Sequence, residues 1–216
     1  MRKISPLYQI LNNNLIQLSI FHELLSLDES MAPYFGRHTA KLFIRGKTIR
    51  FGYNIWGLYG NGGCTYHLNI YQGKEPTTPA QQEPLGKRVI NTMVGIITEN
   101  SDVLNHEPYF DNFFCSYELM CELVEKDVRA TGTIRENRTG GAKQKLLESK
   151  ELQKKELGDF DYCTDGKVFA AKWHDNSIVS GYSKQLGNSQ SLAQSESLGK
   201  RRQKVGYTAT SYQFMQ

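Results

Sequence analysis

Leu24-Leu25-Ser26-Leu27-Asp28-Glu29-Ser30-Met31 is the stretch that decides the fold. An apolar run of buried-strand type is interrupted at Asp28 by a carboxylate, and an isolated carboxylate is costly to bury. A second run, Tyr109-Phe110-Asp111-Asn112-Phe113-Phe114, is broken in the same way. Two such acids can be held together if a divalent cation sits between them, because Mg²⁺ takes oxygen ligands and offsets their desolvation. Strand-end carboxylates converging on Mg²⁺ serve two-metal phosphoryl transfer, in which one ion activates water and the other stabilises the leaving oxygen. Asp28 and Asp111 are therefore the candidate catalytic and metal-binding residues, with Mg²⁺ as a weakly held ion. Two unrelated acids capping turns are the competing reading. Downstream of Asp175 the sequence holds no aspartate, so no third aspartate comes from there.

The elements around these runs predict an α/β chain. Residues 4–21 read as a short helix with Leu7, Ile10, Leu11, Leu15 and Leu18 on one face. The strand carrying Asp28 follows. Residues 48–59 then alternate, with Ile49, Phe51, Tyr53 and Ile55 on one side and Arg50, Gly52 and Asn54 on the other. Gly60-Asn61-Gly62-Gly63 is a hairpin turn, since Asn-Gly tolerates positive φ, and residues 65–71 return as its partner strand. Leu85, Val89, Met93, Ile96 and Ile97 recur at helical spacing after Pro84. Residues 107–110 form a strand that delivers Asp111; Ser116 caps a helix over Leu119, Met120, Leu123 and Val124; residues 128–135 form a fifth strand. Three strands, helix, strand, helix, strand give a mixed five-stranded sheet flanked by helices, an RNase H-like order. In that order the first and fourth strands can lie side by side, bringing Asp28 and Asp111 to neighbouring strand ends. Residues 140–158 are a lysine-rich polar insertion, an exposed helix or loop, and strand character resumes in Phe160-Asp161-Tyr162 and residues 167–182. Asp175 stands in Trp173-His174-Asp175-Asn176-Ser177 as a possible third acid, though an Asp-Asn pair there is more commonly turn chemistry.

Composition bounds the function. The 216 residues are 39% hydrophobic, enough for one core, and the low mean hydropathy of −0.52 reflects long polar stretches. No run of 18 apolar residues exists, so neither a membrane partner nor a membrane span is expected, and Asn12-Asn13-Asn14 interrupts any signal peptide. Four cysteines without a CxxC pair fit reduced thiols, and five scattered histidines spell no zinc site. No small-molecule cofactor is expected. Residues 177–216 hold five basic side chains against the single acid Glu196, which accounts for the whole chain's +4. Residues 186–216 are expected to be a disordered basic tail. Within it Lys200-Arg201-Arg202-Gln203-Lys204 is either a nuclear-import or phosphate-binding run or a plain solvated segment. Several of Arg45, Lys47, Arg50, Arg135 and Arg138, with Arg129, lie near the strands bearing the aspartates; singly each reads better as a solvated sheet edge, and together they are candidates for weak, salt-sensitive DNA contacts.

Several of these words, in this order, resemble the transposase domain of the piggyBac family, and most closely its transposable element-derived, domesticated branch. They are residues 25–31 with Pro33-Tyr34-Phe35-Gly36-Arg37-His38, then Phe43-Ile44-Arg45-Gly46-Lys47 and Ile49-Arg50-Phe51-Gly52-Tyr53. Ile70-Tyr71-Gln72-Gly73-Lys74, Phe110-Asp111-Asn112-Phe113-Phe114 and residues 129–138 continue the series. Phe160-Asp161-Tyr162 and residues 173–177 close it, so the resemblance covers residues 4–183. It implies an RNase H-like core, Mg²⁺-dependent cutting and joining of transposon ends, and residence in the nucleus. It carries over Asp28 and Asp111 as the first two metal-binding aspartates of a DDE-type site. The family's third aspartate stands in a downstream Gly-Gly-Val-Asp segment that this sequence lacks, and its cysteine-rich C-terminal zinc module is missing too. The family's region ahead of the core is here residues 1–23. The implied division is 1–23, a helix remnant; 24–139, the core; 140–185, insertion and strand hairpin; and 186–216, the tail. The expectation is a transposase-derived protein deficient in transposition with residual DNA binding. The alternative is an active Mg²⁺-dependent transposase or nuclease core completed by an unidentified third acid.

Overall fold

The computed structural model describes residues 4–73, 83–101 and 105–184. Expectations for residues 186–216 fall outside them. The chain divides into two compact units, Met1–His106 and Glu107–Gln216.

The first unit is built on an antiparallel sheet. Helix α1 (Ser5–Leu18) precedes β1 (Leu24–Pro33), β2 (Leu42–Phe43), β3 (Phe51–Gly60), β4 (Thr65–Ile70) and helix α2 (Leu85–Asn100). β3 is the hub: it pairs with β1 along its length, with β4 over Ile55–Tyr59 and with β2 at Phe51 and Gly52. The β3–β4 turn forms where Gly62 and Gly63 take φ of 75° and 81°, the left-handed region glycine enters freely. Directly opposed residues share a face, so the register Leu27↔Leu58 and Glu29↔Trp56 puts Leu25, Leu27, Trp56 and Leu58 on one buried face. Phe21 stacks on Tyr66 with centroids 4.6 Å apart and extends this core. α2 starts directly after Pro84 and buries Val89, Ile90, Met93, Val94 and Ile97.

α1 departs from its expected orientation. Its leucine face is exposed at Leu7, Ile10, Leu11 and Leu18, and the helix contains no buried residue. Its anchor is polar: the Asn12 amide donates to the Leu68 carbonyl at 2.9 Å and accepts from the Leu68 N–H at 3.0 Å. A side-chain amide thereby occupies the place of a neighbouring peptide group beside β4.

The second unit holds a mixed sheet. β5 (Glu107–Phe110) leads through α3 (Tyr117–Glu125) to β6 (Thr131–Thr133). These two strands are parallel, and a parallel pair needs such a crossover. Then come α4 (Ser149–Leu152), β7 (Phe160–Thr164), β8 (Val168–His174) and β9 (Ile178–Lys184). β6 pairs antiparallel with β9, β9 with β8 and β8 with β7. Ser116 caps α3 by accepting from the Leu119 N–H, and Leu119, Met120 and Leu123 are buried.

The five-strand expectation is therefore too small: the described residues form nine strands. Two-residue β2 is too short to leave a pattern, and β7, β8 and β9, from the segment expected to resume strand character, extend the second unit's sheet. The expected strand 128–135 shrinks to three residues for a local reason. α3 ends with Asp127 at φ 56°, the Asp127 N–H bonded to the Val124 carbonyl and the Val128 N–H to the Leu123 carbonyl. That is a Schellman-type ending, and it takes Val128 into the helix cap.

Candidate active site

Asp28 is the fifth of the ten residues of β1, so it interrupts the strand and does not end it. It follows buried Leu25, Ser26 and Leu27 and lies on the sheet face opposite Leu25 and Leu27, opposed to Gly57 of β3. A Cβ on Gly57 would run into the Tyr59 ring, so the missing side chain makes room for that ring. The Asp28 carboxylate accepts the Glu29 N–H at 2.7 Å. The residue keeps an exposed surface, yet protein around the carboxyl removes enough water to push its pKa up to about 6. The Glu29 charge pushes the same way, while the Glu29 N–H and the Lys47 ammonium pull it down. Lys47 itself is engaged, 2.7 Å from Glu29 Oε1.

Asp111 is the first residue after β5. Its Oδ1 accepts from the Phe113 N–H at 2.8 Å, and its carbonyl accepts from the Phe114 and Cys115 N–H groups. This is an Asx turn that orders the loop between β5 and the α3 cap. Two arginines secure the loop from the far side of β6. Arg138 donates to the Phe113 carbonyl at 2.9 Å and to the Asn112 carbonyl at 3.4 Å, while Arg135 Nε donates to Asn112 Oδ1 at 2.8 Å. Both residues thus hold the Asp111 loop. Arg45 and Arg50 are exposed.

Asp28 belongs to the first unit and Asp111 to the second. Among the described residues no group of three or more His, Cys, Asp or Glu side chains gathers to hold a metal ion. Asp175 lies in the β8–β9 turn, its N–H donating to the Ser177 carbonyl at 3.1 Å. Cys115 is buried, which pushes its thiol pKa up and makes it inert packing.

The sequence reading assigned no role to a second polar cluster, which fastens the lysine-rich insertion. Glu136 accepts from Ser149 Oγ at 2.7 Å, lies 3.1 Å from the Lys143 ammonium and 3.4 Å from that of Lys172. These partners hold its pKa down at about 2, the Ser149 hydrogen bond first among them. Lys172 is only 3% exposed and also donates to the Leu147 carbonyl at 3.1 Å, and Asp161 Oδ2 accepts from the Leu147 N–H at 2.7 Å. Leu146 and Leu152 are buried. The insertion is thus docked, not free. The signal in the sequence was a lysine at an inward position of the strand Val168–His174, which demands an acidic partner.

A family described as transposase IS4 matches residues 1–210. The human piggyBac transposable element-derived protein 3 is 38% identical over 178 residues, which are 82% of this chain and 30% of that protein. The human piggyBac transposable element-derived protein 2 is 35% identical over 187 residues, 86% of this chain and 31% of that protein. The chain thus spans under a third of the length of these relatives. A cryo-EM structure of a piggyBac transposase synaptic complex with hairpin DNA superposes with a TM-score of 0.69 at 19% identity. The match covers 86% of this chain and 38% of that one.

Proposed function

The chain belongs to the IS4 transposase family and is related to piggyBac-derived proteins, and from that premise we propose that these 216 residues are a DDE-type transposase core that binds DNA and does not transpose by itself. The observation that carries this reading is the matched span itself. It contains Asp28 on β1 and Asp111 directly after β5, each presented by a strand of an α/β fold. An RNase H-like core accounts for a parallel β5–β6 pair joined by α3.

The donor chemistry fits a hard cation. Both residues offer carboxylate oxygens, and a bound cation would relieve the desolvation that raises the Asp28 pKa. Asp28 and Asp111 would hold one Mg²⁺ weakly, and the ion would polarise a phosphate oxygen. What the chain's own residues do is positional: the Asx turn, Arg135 and Arg138 fix the Asp111 loop. Two carboxylates are too few to hold a pair of ions against their repulsion, and losing one member of a cooperating catalytic set costs on the order of a thousandfold. These 216 residues should therefore not cut and join transposon ends efficiently. DNA as partner is supported by the hairpin-DNA complex of the structural neighbour and by exposed Arg45 and Arg50. With Lys47, Arg135 and Arg138 engaged in the protein, that binding should be weak and salt-sensitive. A DNA partner and the run Lys200-Arg201-Arg202-Gln203-Lys204 are what support a nuclear location on this reading.

Calorimetric titration with Mn²⁺ tests the site. One weak event, lost in both Asp28→Asn and Asp111→Asn while each variant keeps its circular dichroism, is the expected outcome. Binding unchanged in both variants would remove the assignment.

A further inference from the structure

Between Glu29 and Glu75 the sequence contains no acidic side chain and six cations, Arg37, Lys41, Arg45, Lys47, Arg50 and Lys74. Gly36, Arg37, Lys41, Phe43 and Phe51 of this stretch are among the residues that line a groove of about 380 Å³ in the first unit. Phe43 of β2 is opposed to Phe51 of β3, and their ring centroids are 4.8 Å apart. Both rings nonetheless face solvent, 58% and 45% exposed. Keeping two phenyl rings in water sacrifices the stabilisation that burial would bring, so such a pair marks a surface that meets something flat and apolar. The cation beside them is fixed: Lys41 Nζ donates to the Phe35 and Gly36 carbonyls at 3.4 and 3.3 Å and stands 5.2 Å from the centre of the Phe51 ring.

Flat aromatic faces rimmed by cations are the chemistry that holds unpaired nucleotides, with bases stacking on rings and phosphates meeting the charges. A duplex cannot use the rings, because its bases are stacked on one another and offer only their edges in the grooves. The groove lies at the small end of ligand clefts, suited to a single nucleotide unit. We infer that this groove binds an unpaired DNA strand, a base stacking on the Phe43–Phe51 pair and the flanking phosphates meeting Lys41 and Arg37. The inference rests on the proposal that the chain binds DNA, and it deepens that proposal by naming the strand state preferred and the residues that prefer it.

The test is fluorescence anisotropy of the whole chain with a labelled thymidine 20-mer and with a labelled duplex of equal length, at two salt concentrations. The single strand should bind at least fivefold more tightly than the duplex. Phe43→Ala should weaken single-strand binding roughly fivefold or more while leaving duplex binding unchanged. Phe43→Trp should preserve it, and Arg37→Ala should flatten the salt dependence. Phe43 is exposed, so all these variants should keep the parent's circular dichroism and melting. Equal or tighter duplex binding, or a Phe43→Ala variant that binds the single strand like the parent, would overturn the inference while leaving DNA binding in place. Binding of neither probe would overturn both.

Discussion

Replacing Glu136 by alanine should loosen the lysine-rich insertion and destabilise the second unit by about 2 kcal/mol, a figure that follows from the contacts. The Glu136 pKa falls from an ordinary 4.5 to about 2, and each unit of such a shift corresponds to about 1.4 kcal/mol. Undiscounted, that shift is worth about 3.4 kcal/mol; because the side chain is 44% exposed, solvent screening reduces it to roughly 1 kcal/mol. Removal also takes a carboxylate partner from Lys172, 3% exposed, which keeps its hydrogen bond to the Leu147 carbonyl, and weakening the compensation of a buried cation adds roughly another 1 kcal/mol. Urea unfolding should show a lower midpoint at unchanged slope. Amide exchange at Leu147 and Leu152 should accelerate more than in β8. A depressed folded-state pKa means stability that is complete above pH 4.5 and lost as pH falls towards 2. The gap between parent and variant should therefore close over that window. Lys172→Met, which swaps a buried ammonium for an apolar chain of similar length, should cost less than Glu136→Ala. A Glu136→Ala variant within 0.5 kcal/mol of the parent, with unchanged exchange in residues 142–152, would refute the reasoning.

Other consequences are independent. Ser116→Ala deletes the α3 cap and should cost about 1 kcal/mol by thermal or urea melting. Asn12→Ala removes both hydrogen bonds that α1 makes to Leu68, so the Leu68 amide should exchange faster while the core amides of β3 do not. Arg138→Ala should speed exchange of the Phe113 amide and leave α3 protected.

What could be read from the sequence was local. The Gly60–Gly63 turn, the Ser116 cap and the start of α2 after Pro84 each depend on a few neighbouring residues, and each stands in the structure as expected. What could not be read was set by distant partners. β3 alternates plausibly on both faces, yet its buried side is Asn54, Trp56 and Leu58, chosen by pairing with Leu27 and Glu29 of β1. α1 shows a leucine face but is anchored through Asn12, because the edge of β4 offers peptide groups for an amide to bond. Asp28 and Asp111 were conspicuous as charges breaking apolar runs. Arg135, Arg138 and Glu136 were ordinary charges in the sequence; only the loop and insertion they grip reveal their work.

The decisive assay is strand cleavage of a transposon-end DNA substrate with Mn²⁺, comparing the 216-residue chain with its Asp28→Ala variant. Equal, negligible cutting and joining by both is the expected result. Robust cleavage by the parent that vanishes in the variant would contradict it, and would point to a third ligand elsewhere in the chain, with Asp175 the first residue to replace.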